Sequence, residues 1–303
     1  MNTENNIRVE LVRTEGNVAP FVKVNYMDKD AQECTGLFLL DSGSNENILT
    51  TEVVDSMGSL CTIVDGVKTI ASMAQEVVKA SQVSFPFVMG DNQFHETFCI
   101  SDMSFPLEGM TVIGILGNPF LRRNRLVIDF HDNTLHTSEI SPSNFSILDC
   151  AFFFPMEMGL KFYRVPVLPV KQNGKELVTL VDTGANVNVI SNQALTDNDF
   201  KYERLKDDDV IMGLSGQAAV NEAKVWFDLL LLYGNEITEL SCCEYFKVLP
   251  DSIYTPHKGE CDTNGEQLPP IDILLGFPFM AREGWILDFG AKMIYKRKSQ
   301  QSS

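Results

Sequence analysis

Two aspartates stand in closely matched surroundings. Residues 39–50 read LLDSGSNENILT and residues 180–191 read LVDTGANVNVIS. In each, an apolar run leads into Asp, a hydroxyl residue and Gly, and Asn recurs at two matching later offsets (Asn45 and Asn47; Asn186 and Asn188). Two such turns in one chain can present Asp41 and Asp182 to each other across a pseudo-twofold axis. Like charges about 3 Å apart cannot both ionise, so the pair shares one proton and titrates as a unit. The ionised partner can take a proton from a water held between them while the protonated one donates to a substrate carbonyl. This acid–base chemistry needs no nucleophilic side chain, no metal and no cofactor.

A second pair of blocks lies downstream in the same order. GNPFLRRNRLVIDF starts at Gly117 and GFPFMAREGWILDF at Gly276, and they align without a gap. A lone Asp-(Ser/Thr)-Gly is usually just a turn. Two copies, each inside an apolar strand and each followed by an apolar-apolar-Gly block, indicate an internal duplication. The neighbours then have definite tasks. Gly43 and Gly184 let the backbone come close to a carboxylate, Ser42 and Thr183 can hydrogen-bond across the axis, and Ser44 and Ala185, which follow the glycines and differ between the halves, support the loops. Ile115-Leu116-Gly117 and Leu274-Leu275-Gly276 pack beneath the loops and fix the carboxylates. Asp129 and Asp288, repeated in the later blocks, suit a hairpin or lobe-interface hydrogen bond better than a second acidic pair.

The elements that must carry these residues are mostly strands. Phe21–Tyr26 and Tyr163–Val167 alternate, and the second leads through Asn173-Gly174 into Leu177–Val181, a strong hairpin signal. Val83–Val88 and Val225–Leu232 read as further strands, brief helical turns follow Gly117 and Gly276, and LVIDFHDNTLH and WILDFGAKMIY read as closing hairpins. With 303 residues the chain has a two-domain length. The expected division is an N-terminal lobe at 1–140, an apolar interface segment at 141–158 and a C-terminal lobe at 159–303, ending in a frayed KRKSQQSS.

On these blocks the sequence resembles the aspartic peptidases. Asp-Ser-Gly at 41–43, Asp-Thr-Gly-Ala at 182–185 and the two apolar-apolar-Gly blocks are similar to that family's active-site and supporting motifs. The short halves resemble retropepsin-like bacterial aspartyl proteases, fused in tandem in a pepsin-like bilobal plan. The resemblance implies a mainly β fold of two closed-barrel lobes with the site at their interface, and cleavage of extended peptides or unfolded protein by Asp41 and Asp182. It also implies hairpin flaps, whose equivalents are 66–76 and 212–219. That places Ile70, Ala71, Ser72 and Met73, and Gly213, Leu214, Ser215 and Gly216, in substrate-binding positions. Neither stretch has the Tyr of pepsin-type flaps, and only the second has glycines suited to a mobile tip. The alternative on the same scaffold is a peptide-binding or regulatory protein without turnover, for which well-separated carboxyls or a cleft plugged by 250–270 would speak.

Composition narrows the partners. The net charge of −17, from 41 acidic against 24 basic side chains, disfavours nucleic acid. The one compact basic run, Arg122, Arg123 and Arg125, reads as a solvated helix end. No apolar stretch nears the roughly 18 to 20 residues of a membrane span. MNTENNIRVE lacks the form of a secretory signal. Seven cysteines, an odd number without a CxxC pair, suggest reduced thiols in a cytosol-like compartment. Both carboxylates lie in one chain, so a monomer suffices. Cys242, Cys243, His257 and Cys261 raise a zinc site, but adjacent strand residues point to opposite faces, and the expectation is no metal. His131 and His136 bracket a turn and read as surface hairpin residues.

Overall fold

The computed structural model describes residues 6–12, 20–71, 77–103, 109–137, 140, 145–148, 151–153, 165–213, 216–233, 236–253 and 270–297. The first half runs β1 (Arg8–Glu10), β2 (Phe21–Met27), β3 (Glu33–Asp41), β4 (Ile48–Thr50), α1 (Thr51–Met57), β5 (Thr62–Ala71), β6 (Val77–Met89), β7 (Asn92–Ser101), β8 (Val112–Gly117), α2 (Asn118–Arg123), β9 (Val127–Asp129) and β10 (Thr134–His136). The second runs β11 (Phe145–Leu148), β12 (Ala151–Phe153), β13 (Val165–Gln172), β14 (Lys175–Asp182), β15 (Asn188–Ser191), α3 (Asn192–Asp197), β16 (Lys201–Gly213), β17 (Gly216–Tyr233), β18 (Glu236–Leu249), β19 (Ile273–Gly276), α4 (Phe277–Glu283), β20 (Ile286–Asp288) and β21 (Met293–Arg297).

Each half closes a barrel. In the first, the order β2-β3-β8-β4-β7-β6 returns on itself through the pairing Asn25↔Val88. In the second, β13-β14-β19-β15-β18-β17 closes through Val170↔Leu229 and Lys171↔Asp228. Closure explains the uninterrupted LFLL of β3, a strand buried on both faces. Phe38 and Leu40 enter the main core, while Leu37 and Leu39 join Phe21, Ile48, Val112 and Ile115 on the other side. Inside the first barrel Phe38 stacks on Phe98 with ring centroids 5.3 Å apart, and Phe85 and Phe87 lie beside them. Inside the second, Phe227, Phe246, Phe279 and Trp285 meet edge-on or tilted.

A six-strand platform, β1-β10-β9-β20-β21-β11, joins the halves. Its axis lies between β9 and β20, where Ile128 pairs with Leu287. β1 on β10 is mirrored by β11 on β21, so Phe145–Leu148 holds in the second half the place that Arg8–Glu10 holds in the first.

The platform also assigns the later acidic pair. Asp129 accepts the N–H groups of His131 (2.9 Å) and Asp132 (2.8 Å), and Asp288 that of Ala291 (2.7 Å). Each carboxylate pins the turn of its own hairpin. His136 departs from the expected surface position: it is 6% exposed, because its hairpin is not an edge but an inner pair of the platform. Burial pushes its pKa down despite nearby Asp129 and Asp288.

Helices α1 and α3 were also not expected. α3 starts where the Ser191 hydroxyl accepts the N–H of Ala194 at 2.9 Å, a side-chain cap. Among the described residues, no helix is long and apolar enough to cross a membrane.

Candidate active site

Asp41 and Asp182 end β3 and β14, strands that run parallel to β8 and β19. The register sets Asp41 opposite Gly117 and Asp182 opposite Gly276. Each chain then turns within three residues, and the carboxylate caps its own turn. Asp41 Oδ1 accepts the N–H groups of Gly43 and Ser44, both at 2.9 Å, and Asp182 Oδ1 those of Gly184 (2.8 Å) and Ala185 (3.2 Å).

The two loops are joined across the axis by a reciprocal set of hydrogen bonds. The Ser42 N–H donates to Thr183 Oγ1 (2.9 Å), and the Thr183 N–H donates to Ser42 Oγ (3.0 Å). The Ser42 hydroxyl donates onward to the Val181 carbonyl (2.7 Å), and the Thr183 hydroxyl to the Leu40 carbonyl (2.8 Å). Both side chains are fully buried, so each bond operates away from competing water. This network brings each glycine against the opposite aspartate. A Cβ on Gly43 would lie 2.6 Å from Asp182 Oδ2, and one on Gly184 would lie 2.6 Å from Asp41 Oδ2.

The two carboxyls meet at the axis, each against the opposite lobe's glycine. Burial, then the charge of Asp182, then side-chain hydrogen bonding with it push Asp41 well above the ordinary carboxylate range. Burial raises Asp182 too, but the hydrogen bond from Asp41 and the surrounding N–H groups work against the rise. Both carboxyls are thus raised, and the pair holds its protons as a unit.

Residues 168–279 match the aspartyl protease family. The crystal structure of an aspartic proteinase from Irpex lacteus shares the fold with a TM-score of 0.52, covering 98% of this chain and 99% of its own at 11% identity. The chain has the pepsin-like fold of an aspartic proteinase, and its second half carries the match to the aspartyl protease family. No curated protein sequence matches it.

The loop residues of this aspartic peptidase fold gather as a unit: Ser42, Gly43, Ser44, Thr183, Gly184 and Ala185 all bond within or between the two turns. The Ser44 carbonyl accepts the N–H of Asn118 (2.9 Å), and the Ala185 carbonyl that of Phe277 (2.8 Å), which seats the helices after Gly117 and Gly276 under the loops. The hairpin residues belong to other strands. Ile70 and Ala71 end β5, and Gly213 pairs with Gly216 where β16 meets β17. Ser72, Met73, Leu214 and Ser215 lie outside the described residues, as do His257, Cys261 and most of 250–270. Among the described residues no set of three His, Cys, Asp or Glu side chains is arranged to hold a metal ion. Cys242 sits opposite Phe227 and Cys243 opposite Trp226. Burial, foremost, pushes the Cys242 thiol up to about 12.

Two supporting residues carried a sequence signal to which no role was attached. The repeated Asn47 and Asn188 accept the N–H groups of Gly117 (3.0 Å) and Gly276 (2.9 Å). Their amides donate to the carbonyls of Thr97 and Tyr245. Each asparagine thus ties three strands together beside a carboxylate. Asn188→Ala strands a buried donor, and roughly 1–3 kcal/mol of stability should be lost, read as a lower urea midpoint. The second repeated support, Arg123 with Glu96 and Arg282 with Glu244, joins each helix to a barrel strand.

Proposed function

We propose that the chain is an aspartic endopeptidase that hydrolyses extended peptides with a water activated between Asp41 and Asp182. The observation that supports this most is the pair of buried carboxyls that two lobes bring together, each against the other's glycine. A scaffold that only bound peptide would have no use for two adjacent acids whose burial is costly.

In the proposed reaction Asp182 takes a proton from the water as its oxygen bonds to the scissile carbonyl carbon. Asp41 gives its proton to the carbonyl oxygen, so the developing negative charge is neutralised as it forms. In the second step one hydroxyl of the tetrahedral diol returns a proton to Asp41. Asp182 passes its own proton to the departing amide nitrogen as the C–N bond breaks. Neither metal nor cofactor enters, and one chain carries the whole pair, which suits a monomer. The unpaired thiols of Cys34, Cys61, Cys99, Cys242 and Cys243 support a reducing, cytosol-like compartment.

A mixed peptide library incubated at mildly acidic and neutral pH tests the proposal. Cleavage that a statine-type mimic of the tetrahedral diol suppresses is the expected result. Binding without cleavage at either pH would make the protein a peptide-binding scaffold instead.

A further inference from the structure

The two aspartate loops differ in charge five residues past each carboxylate, where the first has Glu46 and the second Val187. Glu46 is buried, and its backbone is part of the loop: the Ser44 hydroxyl donates to its carbonyl at 2.8 Å. That carbonyl lies against Gly117, whose N–H is held by the adjacent Asn47. A carboxylate so enclosed requires a charged partner. Lys68 supplies it, with Nζ at 2.8 and 2.7 Å from the two oxygens.

Lys68 comes from β5, the outer strand of the β5–β6 hairpin. The pairing jumps from Val64↔Gln82 to Val67↔Ser81, leaving Asp65 and Gly66 as a bulge, with Gly66 at φ +119. A bulge of this kind re-aims the strand that carries it. Beyond it Lys68 pairs with Ala80, and residues directly opposite in a ladder share a face. Ala80 and Gln82 are both buried, so Lys68 lies on the inward side of its hairpin, where Glu46 waits. Gln82 in turn is opposite Cys99, itself opposite Ile48 at the end of the aspartate loop. The ion pair thus bridges hairpin and loop over a buried patch, and its side chains are 36% and 11% exposed for Lys68 and Glu46. In the second lobe Val187 offers no charge for such a tie. Among the described residues of that lobe, Lys247 with Glu222 joins β17 to β18 instead.

We propose that Glu46 and Lys68 are positioning residues, a one-sided latch that couples the set of the β5–β6 hairpin to the loop bearing Asp41. The coupling itself is a property of the free protein. Its effect on turnover rests on the peptidase reading: the hairpin would then act on bound peptide through the first lobe, and KM rather than kcat would carry most of the change.

Hydrogen exchange on the unliganded protein separates the two levels. In Glu46→Gln, which keeps a hydrogen-bonding side chain and so preserves the fold, amides of 62–71 and 41–50 should exchange faster while those of 201–213 stay as in the parent. Lys68→Met should act alike, Lys68→Arg should restore the parent pattern, and the double variant should be no worse than the worse single one. With peptide, the same variants should raise KM about tenfold with a smaller change in kcat. Unchanged exchange in the hairpin, or a rise spread evenly over both lobes, would overturn the latch. A parent protein that cleaves nothing overturns the peptidase reading alone, and the exchange result still decides the coupling.

Discussion

Asp41→Asn is expected to give a folded protein that has lost peptide turnover by on the order of 10³-fold or more and that unfolds at a higher temperature than the parent at neutral pH. Both effects have one cause. The carboxyl of Asp41 lies beside that of Asp182 with little of either exposed, so its pKa in the folded state is well above the ordinary value, through burial first and then through the neighbouring charge. A carboxyl raised in this way binds its proton more tightly folded than unfolded. Its contribution to stability is complete below the unfolded-state pKa, about 3.9 for Asp, and is lost as pH rises through the folded-state value. At neutral pH the parent therefore carries a charge in a place that disfavours it, and a neutral amide of the same shape relieves the penalty. The thermal advantage of Asp41→Asn over the parent should grow as pH rises through the raised folded-state pKa of the pair. Asp182→Asn should show the same activity loss with a smaller stability gain, because more donors already favour its charge. Retained cleavage in either variant would remove the mechanism. A constant offset between parent and variant across pH would show that the pair is not protonically coupled.

The duplicated blocks made the two barrels and the facing carboxylates legible, because the contacts that matter there are encoded locally: Asp, hydroxyl, Gly, then a strand of apolar residues that must be buried on both faces. The hairpin through Asn173-Gly174 was legible for the same reason, and β13 and β14 pair across it. The platform was legible only in its two closing hairpins, which are β9–β10 and β20–β21. The pairings that join them, β1 on β10 and β9 on β20, link three-residue strands far apart in the chain, and no periodicity develops over three residues. His136 was misplaced for that reason: its hairpin reads as a closing edge until β1 is laid against β10. Asn47 and Asn188 were visible as a repeat, yet the backbone donor each serves lies 70 and 88 residues downstream. Glu46 and Lys68 are 22 residues apart, and only the bulge at Asp65 and Gly66 turns the lysine toward the loop.

Gly43→Ala should damage activity severely, although it adds one methyl group and removes no chemistry. In most turns an added Cβ is a local matter of φ and ψ. Here the obstacle belongs to the other lobe: the new carbon would stand 2.6 Å from both Cγ and Oδ2 of Asp182, inside the contact distance of any real pair of atoms. Asp182 cannot retreat, since its Oδ1 is held by the N–H groups of Gly184 and Ala185. Ser42 and Thr183, the neighbours on either side, are locked to each other's backbone. The loops must therefore separate, and a displacement on the order of 1 Å in such a site costs about 10²-fold in rate. Separation also weakens the coupling of the two acids, so Gly43→Ala should flatten the pH dependence of stability that Asp41→Asn removes, while leaving both carboxyls in the chain. Gly184→Ala, which drives a methyl group into Asp41, should reproduce both effects. Thermal unfolding across pH, with cleavage measured on the same samples, distinguishes this from simple loss of fold: a variant that melts cooperatively, cleaves poorly and titrates as two ordinary carboxylates has had its lobes parted at the axis.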